Sequence, residues 1–144
     1  MRCPTMADAK PRVLVAGTEL AIATCQRILR GEAQVVAARS VAQALERLEP
    51  APDLIISSVR FDESRMFDFL QALRNRCAAP VLCCRIVEKP LSPAIYQSIE
   101  TAAQALGVKA FFDMDTETRR HGAAEAERRL KRLIHAHLPV RAVT

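Results

Sequence analysis

Five short apolar runs punctuate the chain, and an amphipathic stretch follows each one. The runs are Arg12-Val13-Leu14-Val15-Ala16, Gln34-Val35-Val36-Ala37, Leu54-Ile55-Ile56, Pro80-Val81-Leu82-Cys83-Cys84 and Ala110-Phe111-Phe112. They are too short for helices and carry apolar residues at successive positions, the pattern of strands buried on both faces. Between them the spacing turns helical. Ile22, Cys25, Ile28 and Leu29 mark a first helix that Gly31 can terminate. Ser40 can cap a second, with Val41, Ala44, Leu45 and Leu48 at i, i+3, i+4 and i+7, ended by Pro50 and Pro52. Met66, Phe69, Leu70, Leu73 and Cys77 form the apolar face of a third. Arg85 to Leu91 reads as a loop, and Ser92-Pro93 as a cap followed by proline at the first helical position. Ile95, Ile99, Ala102, Ala103 and Leu106 line the fourth helix, which Gly107 stops. The last helical region begins at Thr116 or Thr118. Gly122 interrupts it, and Ala126, Leu130, Leu133, Ile134 and His137 form its stripe.

Five alternations of buried strand and amphipathic helix predict an α/β fold with a five-stranded parallel sheet covered on both faces. At this length the expected winding is doubly wound and flavodoxin-like. One domain is expected over residues 12–138, with a flexible leader at 1–11 and a tail at 139–144.

Composition narrows the class. Hydrophobic residues make up 50% and aromatic ones 4%, so the core is aliphatic and alanine-rich. Neither a run of eighteen apolar residues nor a secretory signal is visible. Cys3, Cys25, Cys77, Cys83 and Cys84 lack the spacing of a disulfide framework and read as reduced thiols of a cytoplasmic protein. The net charge of +5 lies entirely beyond residue 118: residues 119–144 hold 7 basic and 2 acidic side chains.

Residues 53–74, DLIISSVRFDESRMFDFLQALR, resemble the third strand and third helix of a response-regulator receiver domain, the CheY-like, flavodoxin-like family of phosphorelay signalling. The resemblance extends over residues 12 to about 138. It implies a site at the carboxyl ends of the strands: acids after strand one for magnesium, an acceptor aspartate on strand three, a hydroxyl after strand four and a lysine after strand five. Here the acids fall on Gly17 and Thr18, with Glu19 nearby. The acceptor falls on Ser58 and the hydroxyl on Arg85, or on Cys84 with a one-residue slip. The lysine falls on Met114. Val87-Glu88-Lys89-Pro90 also resembles the family's lysine–proline segment, but placing strand five there leaves no room for strand four and its helix. Residues 107–113 match the helix stop and fifth strand better. Every functional position thus departs from the family, and a serine cannot form the acyl phosphate that a carboxylate forms.

Other chemistry is thin. Gly17 alone is no phosphate cradle. Cys83 and Cys84 point to opposite faces of one strand. His135 and His137 share no helix face. Arg85 either fills the vacated site and pairs with Asp62 or Glu63, or holds an anion. Asp62 and Glu63 otherwise belong to a solvated loop. Arg128-Arg129-Leu130-Lys131-Arg132 is a basic helix face with Glu125 and Glu127 as candidate partners. The expectation is a receiver-like regulatory module, not an enzyme, working through protein contacts without phosphotransfer, metal or cofactor. Its interaction face would carry Tyr96, Phe111, Arg128, Arg129, Lys131 and Arg132, and could form a homodimer through helix four, strand five and helix five. The alternatives are a small-ligand or nucleotide-binding domain with Arg85 and Ser58 in a rebuilt pocket, or nucleic-acid contact through the basic helix.

Overall fold

The computed structural model describes residues 10–62, 65–86 and 92–139. Most of the expected leader and tail, Cys3, Glu63 and the Val87–Leu91 segment with Lys89 lie outside the described residues. Among the described residues the strands are β1 (Arg12–Ala16), β2 (Gln34–Ala38), β3 (Leu54–Ser58), β4 (Val81–Arg85) and β5 (Ala110–Asp113). The helices are α1 (Glu19–Ile28), α2 (Val41–Glu46), α3 (Met66–Leu73), α4 (Pro93–Ala105), α5 (Met114–His121) and α6 (Ala123–His137). All strand pairs are parallel, in the order β2-β1-β3-β4-β5. This is the expected flavodoxin-like winding.

The two-residue period of the strands sorts the core into two layers. Val13, Val15, Leu54 and Ile56 meet Ile22, Cys25, Leu130 and Ile134 from α1 and α6. Leu14, Ala16 and Ile55 face Val41, Phe69, Leu70 and Leu73 from α2 and α3, with Ala103 of α4. Phe61 and Phe69 pack edge to face at 5.2 Å within the second layer. Among the described residues no helix is long and apolar enough to cross a membrane.

Several boundaries differ from the sequence reading. Arg85 is the last residue of β4 and not part of a loop; a buried partner for its charge makes the extra strand residue tolerable. α2 ends at Glu46, so Leu48 reaches the core from beyond the helix. Cys77 likewise lies past the end of α3. α4 buries only Ala103 fully, and Ile95 is exposed, because α4 covers the sheet's β5 edge and not its centre. The final helical region starts at Met114, ahead of Thr116 and Thr118, because Asp113 caps it. Gly122, at φ 89°, separates α5 from α6.

α6 completes the α1-side layer with Ala126, Leu130 and Ile134, all fully buried. Leu130→Ala should therefore cost about 2–5 kcal/mol of stability, measured by chemical denaturation.

Candidate functional site

In doubly wound folds the site lies beyond the carboxyl ends of the strands. At the end of β1, Gly17 donates its N–H to Ala38 O at 3.0 Å. A Cβ at position 17 would stand 2.9 Å from Ser58 Cβ and 3.2 Å from Ala21 Cβ. Glycine is present because any side chain would collide with the end of β3. Ser58 is buried, and its hydroxyl, like that of Ser57, has no hydrogen-bond partner among the described residues. Thr18 is spent on α1, its Oγ1 accepting from Ala21 N at 3.2 Å. Glu19 turns outward to Arg39, whose hydrogen bond holds the carboxyl below its ordinary range.

A hard divalent cation needs several oxygen ligands, usually with a carboxylate among them. Gly17, Thr18 and Ser58 offer no carboxylate, and Glu19 is engaged elsewhere. Asp62, at φ 48°, accepts from Val41 N at 2.8 Å and lies 3.7 Å from Arg65. One of its oxygens thus supports the first turn of α2, beside the Ser40 cap. Among the described residues no three metal-ligating side chains cluster. These residues do not fit the magnesium site that the receiver resemblance implies.

At the ends of β4 and β5 the chemistry is different again. Arg85 and Asp113 are register partners. Arg85 Nη1 donates to Asp113 Oδ1 at 2.9 Å and to Oδ2 at 3.1 Å, with both side chains buried. Asp115 adds a carboxylate at 3.9 Å. The Asp113 carboxylate also accepts from Asp115 N at 3.0 Å, Thr116 N at 3.3 Å and Thr116 Oγ1 at 3.0 Å. Arg85 thus pairs with Asp113 and not with Asp62; Glu63 lies outside the described residues. Asp113 was missed because it reads as a strand-end acid. Its signal was an N-cap aspartate followed by acids at Asp115 and Glu117. Met114, the expected lysine position, opens α5 and packs half-buried against the α1-side core.

Tyr96 of α4 and Phe111 of β5 meet edge to face at 5.2 Å. They border a groove of about 530 Å³ with Arg85, Glu100, Glu117, Arg119 and Arg120. Burial, followed by the charges of Asp113 and Glu100, pushes the Tyr96 phenol up. The basic residues of α6 do not line this groove. Arg128, Arg129 and Arg132 share Glu125, at 2.8, 3.6 and 4.0 Å. Lys131 pairs with Glu32 at 2.5 Å, and Glu127 is taken by Arg27 of α1 at 2.6 Å. Arg129 also approaches Glu117, at 4.0 Å, where α6 meets the groove. Three of the thiols are held protonated, since burial raises Cys25 and Cys83 to about 12 and Cys84 well above its ordinary value.

No protein-family model and no curated protein sequence matches the chain. Solved structures do. The response regulator domain of Thermotoga maritima CheB is 17% identical with a TM-score of 0.66, over 92% of this chain and 99% of that one. Vibrio cholerae chemotaxis protein CheY4 is 20% identical with a TM-score of 0.65, over 90% and 100%. The BeF3-activated receiver domain of Klebsiella pneumoniae RstA is 16% identical with a TM-score of 0.58, over 83% and 96%. At these identities the likeness is one of fold: the chain has the CheY-like receiver fold.

The Arg85–Asp113 pair sets a stability test. Asp113→Asn keeps a capping side chain but leaves Arg85 without its main counter-charge, and should cost about 3–5 kcal/mol. Arg85→Met leaves the Asp113 carboxylate without the guanidinium but with its hydrogen bonds from Asp115 N, Thr116 N and Thr116 Oγ1, keeps much of the volume, and should cost less. Urea denaturation of both variants checks the order.

Proposed function

We propose that this protein is an atypical receiver module of two-component-type signal transduction, acting in the cytoplasm through protein contacts and without phosphoryl transfer. One observation carries the reading. At the strand ends where receiver chemistry would sit, a closed Gly17–Ser58 contact and a neutralised Arg85–Asp113 pair stand in place of a carboxylate cluster and a free cation. A transferred phosphoryl group needs positive charge to stabilise it. The buried Arg85 guanidinium at those strand ends is already matched by Asp113.

Partner contact is assigned to the β5 edge, where Tyr96 and Phe111 form an aromatic floor between α4 and α5. Glu100 and Glu117 share that groove with Arg119 and Arg120, so two copies related by a twofold axis could set acids against bases. That charge arrangement supports the homodimer as one form of the contact. On α6, Lys131 is matched by Glu32, Arg128, Arg129 and Arg132 are tied to Glu125, and aromatic stacking residues are missing from that face. Both features favour a protein over a nucleic acid.

The test is a titration with beryllofluoride and magnesium, followed by amide NMR. No saturable shift is expected at Gly17, Ser58 or Arg85. Saturable, magnesium-dependent shifts centred on Ser58 would overturn the proposal.

A further inference from the structure

α5 spans eight residues, and none of them is buried. A helix of that length does not hold itself together in water. Its charge order helps, with Asp115 and Glu117 in the first turn and Arg119, Arg120 and His121 in the last. Its buried tether is Asp113, which caps its first turn while held by Arg85. Met114 adds a half-buried contact with the α1-side core, and the remaining ties include ion pairs among partly exposed side chains, such as Asp115–Arg119 at 2.9 Å and Glu117–Arg129 at 4.0 Å. At the far end Gly122, at φ 89°, stops the helix. α6 then restarts without a side-chain cap and is anchored independently by Ala126, Leu130 and Ile134.

α5 also stands between two grooves. Thr116, Glu117, Arg119 and Arg120 form one wall of the groove floored by Tyr96 and Phe111. Met114, Asp115 and Thr118 form a wall of a second, of about 300 Å³, with Leu20, Thr24 and Ile86. Leu20 is one of the few exposed large apolar side chains among the described residues.

We propose that α5 is a latch. Residues 114–121 release as one unit, hinged at Gly122 and held shut by the Arg85–Asp113 pair, and release joins the two grooves into one cleft running from Leu20 to Tyr96. This goes beyond the docking reading and does not depend on it, since a helix can open whether or not a partner uses the groove.

Hydrogen exchange on the full chain tests the proposal. Amides of residues 118–121 should exchange about a hundredfold faster than those of Ile55–Ser57, while Leu130–Ile134 stays with the slow group. Arg85→Met should speed the α5 amides by a further tenfold or so, and they should remain faster than both slow groups. Thr116→Val, which removes only the Thr116 Oγ1–Asp113 bond, should speed them about severalfold, and supplies the test if Arg85→Met does not fold. Tyr96 is the only tyrosine and tryptophan is absent, so acrylamide quenching of intrinsic emission reports this groove alone. Quenching should rise in both variants. α5 amides that exchange with the slow group, or that neither variant speeds, would overturn the latch.

Discussion

The buried Arg85–Asp113 pair is the constraint around which the carboxyl end of this sheet is arranged. A guanidinium and a carboxylate taken out of water must satisfy each other or destabilise the fold by several kcal/mol. Here one carboxylate serves three neighbours at once: the end of β4 through Arg85, the end of β5 through its own backbone, and the first turn of α5 through Asp115 and Thr116. Because β4 and β5 run parallel and in register, the two charged residues emerge side by side. Moving either strand by one residue would bury both charges apart. The pair therefore specifies register as well as tying elements together.

On the β1–β3 side the same end of the sheet is governed by contact distance. Gly17 and Ser58 approach so closely that an added methyl-sized group has no room. A cluster of carboxylates would cost stability through mutual repulsion unless a cation compensated it. Small neutral residues avoid that cost, and the strand ends can close on each other. The two halves of the site thus reach neutrality by different routes, one by lacking charge and the other by matching it.

Much of this was legible in the chain. Strands of successive apolar residues and the Ser92-Pro93 cap are local signals, and local signals survive folding. The departures at Gly17, Ser58 and Arg85 were legible too, because residue identity alone removes a carboxylate or a lysine. What the sequence did not disclose is which distant residues meet. Arg85 and Asp113 are 28 residues apart, and nothing local to either chooses Asp113 over Asp62. Glu127 looked like a partner for its neighbours on α6, yet packing against α1 brings it to Arg27. The apolar spacing of α4 puts Ile95 on one face with Ile99, Ala102, Ala103 and Leu106, but a helix over a sheet edge has too little surface beneath it to cover Ile95.

The placement of α6 bears on how the chain can fold while it is being made. Its Leu130 and Ile134 fill the layer against α1, and Glu127 reaches back a hundred residues to Arg27. The opposite layer, built from α2 and α3, needs nothing C-terminal to residue 112 except through the sheet itself. During synthesis one face of the sheet can therefore be covered while the other stays open to water. The layer over α1 stays incomplete until α6, with Leu130 and Ile134, has left the ribosome. Domains generally fold as units, and here the unit closes only with its last helix. A nascent chain halted before residue 123 would present a half-covered sheet, the kind of surface that holding chaperones bind.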